Sequence, residues 1–303
     1  MFGMIKYSPK RYLNLLTFAV ENKHNFHAAS FSSLKFDMKI VTLTSDLGTK
    51  DYYLASVKAA ALSQISDVQW VDISHHIPPF DMAKAAFVLK NVWRDFPEGS
   101  FHIIGVDTDW RKAAPYVVVQ KNGHYFIGAD NGFFSLLFNE EPADAIYVVN
   151  LKGDEDLNFP TKSIFIPIIA QICNGVPLSE IGTLAENYKV RPGIMPVFEL
   201  NNIRGTVIYV DGYGNVITNI TKTMFDEKVG DKPFHIVLRR GDTELNRISR
   251  AYNEVPEGEK LAIFTLGGYL EIAINRGVEG SGGGASDLLG IKENDIIRIE
   301  IED

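Results

Sequence analysis

The stretch Lys39-Ile-Val-Thr-Leu-Thr-Ser-Asp-Leu-Gly48 decides the fold. A run rich in Ile, Val, Leu and Thr that ends in turn residues reads as a buried strand with a polar loop at its carboxyl end. Working outward, the same unit recurs. Val68 to Ile73, His102 to Val106, Tyr116 to Gln120, Tyr125 to Gly128 and Ile146 to Val149 are further strands, with helix-length segments between them. Asp81 is placed to cap a helix over Met82 to Arg94. Thr161 or Ser163 opens another that runs to Asn174 and is ended by Gly175, with Pro167 expected to kink or restart it. Strand and helix alternation predicts an α/β domain over residues 38–190, a mostly parallel sheet covered by helices.

Residues 191–201, beginning just after Lys189-Val and including Arg191-Pro-Gly193, read as a linker. Beyond it, residues 202–303 change character. Arg204 to Val210, Val216 to Ile220, His235 to Leu238, Leu261 to Phe264, Tyr269 to Ile274 and Ile296 to Ile301 are short β-type runs with weak helical periodicity. Asp211-Gly-Tyr-Gly214 between two of them is a hairpin turn. A small all-β, barrel-like domain follows from this pattern. Gly280-Ser-Gly-Gly-Gly284 reads as a flexible loop, and no repeat occurs at a solenoid period.

At the other end, Met38 directly precedes the first strand, so residues 1–37 are an extension or a misassigned start. Within them Lys6, Lys10 and Arg11 precede the apolar stretch Leu13 to Val20, which is far shorter than the roughly 20 residues a membrane-spanning helix needs.

The 303 residues carry 30 basic against 38 acidic side chains, a net charge of -8, which argues against nucleic acid as partner. A small molecule is the expected ligand, and no membrane partner is expected. The single cysteine, Cys173, permits no internal disulfide, and a cytoplasmic location is the default. Gly-x-Ser-x-Gly is absent, and Gly-x-Gly-x-x-Gly is absent after the first strand, which lowers the hydrolase-elbow and dinucleotide readings. His75-His76 is not a metal pair, since neighbours on a strand point to opposite faces.

Three polar clusters each follow a strand: Ser45-Asp-Leu-Gly48, Asp107-Thr-Asp-Trp110 and Ala129-Asp-Asn-Gly132. Ligands in open α/β sheets bind beyond the carboxyl ends of the strands, where such loops converge. Asp46 can accept the paired donors of a ribose diol. Tyr53, Phe80, Trp110 and Tyr213 are aromatics close to the loops, suited to stack on a purine or face a cation.

Together these residues resemble the S-adenosyl-L-methionine (SAM) hydroxide adenosyltransferases and the related fluorinases and chlorinases. The likeness is carried by Thr42-Leu-Thr-Ser-Asp-Leu-Gly48, Val71-Asp-Ile-Ser-His-His-Ile-Pro-Pro-Phe80, Phe96-Pro-Glu-Gly99, Asp130-Asn-Gly132, Asp211-Gly-Tyr-Gly-Asn215 and Tyr269-Leu-Glu-Ile-Ala-Ile-Asn275. It implies a homotrimer with SAM as substrate at the subunit interfaces, no cofactor, and attack of water at the ribose C5′ to give adenosine and methionine. By position, Asp46 resembles the ribose clamp, with Phe80 and Tyr213 as aromatic walls. Asn131 falls in the matched Asp-Asn-Gly stretch. Asn215, Tyr269 and Arg276 would come from a neighbouring subunit, and Asp211 would meet the methionine amino group. Asp107 matches the aspartate of the water-using branch.

Two further positions depart from that branch. Ala114 stands where an arginine is expected seven residues after Asp107, and Pro160 where a histidine is expected. The cations available nearby are Arg111 and Lys112, of which Arg111 is the one expected to bend round and replace the arginine, with Thr161 or Lys162 to compensate for the histidine. A catalytically silent SAM or adenosine binder, or an enzyme acting on another nucleoside, are the alternatives.

Overall fold

The computed structural model describes residues 38–139, 141–238, 244–278 and 283–302. The expectations for residues 1–37 and for Gly280 to Gly282 lie outside the described residues. Lys39–Asp303 forms one compact unit built on two sheets.

The first sheet comprises β1 (Lys39–Ser45), β2 (Val68–Ser74), β3 (Phe101–Gly105), β4 (Tyr116–Lys121), β5 (His124–Ala129), β6 (Ala145–Val149) and β7 (Gly182–Ala185), in the order β2-β1-β3-β5-β4-β6-β7. It is mixed, not mostly parallel. β2, β1, β3 and β5 run parallel to their neighbours, but β4, β6 and β7 join antiparallel. The cause lies in Asn122-Gly123, which links β4 to β5 with positive φ at both residues, 48° and 75°. That is the backbone of a two-residue hairpin, whereas a parallel crossover needs about a dozen residues.

Both faces of this sheet are covered, which explains its near-continuous apolar strands. Helices α1 (Tyr53–Gln64) and α4 (Ile166–Cys173) bring Val57, Ala61, Ile168 and Ile169 onto Val41, Leu43, Ile103 and Val118. Helices α2 (Met82–Lys90) and α3 (Phe133–Phe138) bring Ala85, Leu89, Phe133 and Leu137 onto Ile104, Val117, Val119 and Phe126. Asp81 caps α2 as expected, accepting from Lys84 N at 3.0 Å. The helix stops at Lys90 rather than Arg94, and Trp93–Asp95 forms a separate 3₁₀ turn. Thr161–Phe165 is wound as a π-helical turn, and α-geometry begins only at Ile166. Pro167, lacking an N–H, breaks the ladder there.

At the amino-terminal edge of the strands a buried polar chain crosses the sheet. Thr42 Oγ1 lies 2.9 Å from His102 Nδ1, and His102 Nε2 lies 3.1 Å from His124 Nδ1. Burial, with the neighbouring His124, pushes the His102 pKa down to about 3 from 6.5. The unfolded chain therefore binds more protons than the folded one between these values. Stability is fully present above about pH 6.5 and declines as pH falls, by up to about 1.4 kcal/mol per unit from this group. Urea midpoints at pH 7 and pH 5 check this. The drop should be smaller in His102→Gln, and an equal drop in both proteins would contradict it.

The second sheet has nine strands: β8 (Val197–Phe198), β9 (Asn202–Val210), β10 (Val216–Thr221), β11 (Phe234–Val237), β12 (Glu244–Leu245), β13 (Ile248–Ser249), β14 (Lys260–Phe264), β15 (Tyr269–Ile274) and β16 (Ile296–Ile301). Its main path is β12-β11-β16-β9-β10-β15-β14-β13, with β8 added beside β9. All pairs are antiparallel except β13 with β14. The two ends of the path, β12 and β13, do not pair, so the sheet curls into a half-barrel and does not close. Helices Lys222–Lys228 and Ala285–Leu289 flank it, which makes this half β-rich rather than all-β. β8 lies inside the stretch read as a linker.

The two halves meet along α2. Phe87 packs against Tyr209 and Tyr269 at 5.0 and 5.4 Å between ring centres, and Lys84 pairs with Glu293 at 2.8 Å. Among the described residues, no helix is long and apolar enough to cross a membrane.

Candidate active site

Because β2, β1, β3 and β5 are adjacent and parallel, the loops that follow them emerge side by side at one edge of the sheet. All three polar clusters, and the Pro78-Pro79-Phe80 turn after β2, are therefore neighbours. Hydrogen bonds tie them together. Phe80 N–H donates to Asp46 Oδ2 at 2.9 Å, joining the β2 loop to the β1 loop. Asn131 Nδ2 donates to the Asp107 carbonyl at 3.1 Å, joining the β5 loop to the β3 loop.

Two residues of the cluster have a left-handed backbone. Phe80 and Asp107 both have positive φ, 63° and 49°. A left-handed conformation is uncommon for an aspartate and unusual for a phenylalanine, and such residues cluster at functional sites. Phe80 is held that way by the Asp46 carboxylate, and its ring stays 65% exposed.

Arg111 closes on Asp107. Its Nη2 lies 2.8 Å from Oδ1 and its Nη1 3.3 Å from Oδ2, a two-pronged pair. The tight turn Arg111–Ala114, in which Ala114 N–H donates to Arg111 O at 2.9 Å, brings the guanidinium back over the carboxylate. Ala114 itself is buried, so position 114 faces the core while position 111 faces the site. Asp46 is raised in pKa by burial first, partly countered by the Phe80 N–H, with the charge of Asp107 adding to the rise. The two carboxylates thus feel each other across the loop cluster.

Pro160 is buried at the head of the π-helical turn. Preceding it, Phe159 meets the ring of Tyr53 edge-on at 5.6 Å, and Tyr53 lies against Tyr52 at the start of α1. Phe165 packs on Tyr116, whose hydroxyl donates to the Thr108 carbonyl at 2.9 Å. Thr161 is buried and Lys162 exposed.

The remaining candidates fall in the second half. Asp211 accepts from the N–H groups of Tyr213 and Asn215 at 2.9 and 2.8 Å, and from Asn215 Nδ2 at 3.1 Å. Its carboxylate shapes its own turn and projects the exposed Tyr213. Tyr269 packs on Phe87 beneath Lys90, and Arg276, at φ 57°, pairs with Glu257 at 3.0 Å. Among the described residues, no hydrogen bond or ion pair joins this group to Asp46, Asp107 or Arg111 within one chain.

Sequence reasoning missed one residue of the first group. His75, considered only as half of a metal pair, is buried and faces Ser45, while His76 is exposed. β2 ends at Ser74, so both histidines lie in the turn beyond the strand, and strand alternation does not set their directions.

An α/β half with an acidic, aromatic-flanked loop cluster, followed by a curled β half, defines a family. The chain belongs to the SAM hydroxide adenosyltransferases: the family's N-terminal domain matches residues 41–182 and its C-terminal domain residues 205–298. Among relatives, the (R)-S-adenosyl-L-methionine hydrolase of Thermus thermophilus is 28% identical over 279 residues, covering 86% of this chain and all of the relative. A fluorinase of Actinoplanes sp. is 23% identical, covering 63% of this chain and 74% of its own length. The crystal structure of an uncharacterized conserved protein from Thermotoga maritima superposes with a TM-score of 0.75 at 30% identity, covering 86% of this chain and 99% of its own.

Proposed function

We propose that this protein hydrolyses SAM, with water attacking the ribose C5′ to release adenosine and methionine. The observation that carries this reading is the Asp107–Arg111 pair, which places a cation at the loop cluster although position 114 is an alanine. In the reaction the water oxygen bonds to C5′, the C5′–S bond breaks with its electron pair going to sulfur, and methionine leaves as a neutral thioether. No acid need protonate that leaving group. What the step needs is alignment, exclusion of bulk water, and a means to take a proton from the attacking water and steady it. Asp107 suits the proton acceptor, and Arg111 suits both fixing that carboxylate and holding the forming hydroxide.

Asp46 suits the ribose clamp, with one carboxylate oxygen on Phe80 N–H and the other left for the hydroxyls. Phe80 would stack on the adenine. Asp211, Tyr213, Asn215, Tyr269 and Arg276 would complete the site from the next subunit of a trimer, in line with the lack of any hydrogen bond or ion pair joining them to Asp46 among the described residues. This reading includes no cofactor.

Incubation with SAM in ¹⁸O-labelled water tests the reaction directly: adenosine bearing the label at its 5′ oxygen is the expected product. Tight binding with full recovery of SAM would instead favour a silent binder, a reading to which the buried Ala114 and Pro160 lend support.

A further inference from the structure

Asp46 lies in a loop whose two ends are held by a single residue. Ser45 Oγ is 2.8 Å from His75 Nδ1, and Gly48 N–H donates to the His75 carbonyl at 2.8 Å. Side chain and main chain of His75 therefore bracket Ser45-Asp-Leu-Gly48. A bulge makes this possible. Leu43 pairs with Asp72 but Thr44 with Ser74, so β2 carries one extra residue, and His75 comes level with Ser45.

His75 is in turn fixed from behind. Its Nε2 stands 3.0 Å from Asp72 Oδ1, a close polar contact without the alignment of a linear hydrogen bond. Asp72 also accepts from Trp70 Nε1 and from Lys58 Nζ, each at 2.6 Å. Burial works against ionisation of Asp72, but the hydrogen bonds from Lys58 and Trp70, with the nearby His75 ring, outweigh it and hold the carboxyl at about 2. Lys58 belongs to α1, the helix that follows the loop, so the chain Lys58–Asp72–His75–Ser45 links helix, strand and loop. His75 and Ser45 are 4% and 0% exposed. A buried imidazole with polar contacts at both nitrogens costs more desolvation than an aliphatic side chain of similar size would. Packing alone therefore does not account for it.

We propose that His75, aimed by Asp72, is a positioning residue for nucleoside binding: it fixes the Ser45–Gly48 loop so that the Asp46 carboxylate meets the ribose hydroxyls. This rests on the reading of Asp46 as the ribose clamp. The Asp46 carboxylate carried by this loop also accepts from Phe80 N–H, so the loop bears on the stacking ring as well. His75 touches no reacting atom, and its effect belongs in binding rather than in the chemical step.

The test compares His75→Leu and His75→Asn in the full chain, reading adenosine Kd by calorimetry, KM and kcat for adenosine formation, and the urea midpoint. The asparagine amide sits where Nδ1 does and keeps the Ser45 contact, whereas leucine removes it. His75→Leu should raise the adenosine Kd and the KM for SAM about tenfold, with kcat within about threefold of wild type. His75→Asn should restore binding to within about threefold. If His75→Leu does not fold, Ser45→Ala, which deletes the contact from the other side, should show the same shift in Kd. Wild-type affinity in folded His75→Leu or in Ser45→Ala, or equal losses in the Leu and Asn variants, would overturn the proposal. Binding lost in Asp46→Ala but unchanged in His75→Leu overturns the positioning role alone. A wild-type protein that binds neither adenosine nor SAM overturns the clamp reading as well.

Discussion

Asp107→Asn is expected to lower the rate of adenosine formation about 10³-fold while leaving the protein folded and able to bind adenosine. The choice of asparagine isolates the charge. Asp107 has φ 49°, a conformation that asparagine tolerates as well as aspartate does, and the Asp107 carbonyl would still accept from Asn131. What changes is the carboxylate, which can no longer take a proton from water or hold the guanidinium of Arg111 in a fork. Loss of the Asp107 charge also relieves one of the influences raising Asp46, so nucleoside binding should hold or tighten slightly. Single-turnover quenching with excess enzyme separates the two effects, because it reads the chemical step without product release. A rate within a few-fold of wild type would remove Asp107 from the chemistry.

Arg111→Ala is expected to slow the chemical step about 10²-fold, the scale on which removal of one preorganised charge-stabilising donor acts. Position 114, where the family resemblance leads one to expect an arginine, is a buried alanine, and the turn from Arg111 to Ala114 instead returns the guanidinium to Asp107. If the pair is functional, the substitution lowers kcat in single turnover, and Arg111→Lys recovers only part of it because a lysine cannot form the fork. Half of the Arg111 side chain is exposed, so little stability should be lost. Equal single-turnover rates for wild type and Arg111→Ala would place Arg111 among solvated loop residues.

The parallel half of the first sheet was legible because β-branched and aliphatic runs such as Ile40 to Thr44 lead straight into turn residues, Asp46 and Gly48. Its antiparallel half was not, because the hairpin residues Asn122-Gly123 were passed over between two strands that were themselves correctly placed. Helix α1 left a weak pattern, since Ala55 and Ala59 dilute the contrast with the buried Leu54 and Val57. Curling of the second sheet depends on which edges pair, and no local run of residues encodes that.

At the site, Asp46, Phe80, Asp107 and Asn131 could be singled out because each lies just beyond a strand of the same edge. The pairing of Arg111 with Asp107 depends on a tight turn that follows neither the helical nor the strand period. Only the supply of a nearby cation was visible. Asp211 shows the opposite case: its residue type pointed to a ligand, and its oxygens engage three donors of its own turn.

The central claim is that a site built on Asp46, Asp107 and Arg111 delivers water to C5′ of SAM. Mass spectrometry of adenosine formed from SAM in ¹⁸O water tests it most directly. The expected product is adenosine two mass units heavier than in ordinary water, formed by wild type and strongly reduced in Asp107→Asn. Quantitative recovery of unreacted SAM from a protein that binds it, or adenosine without the label, would contradict it.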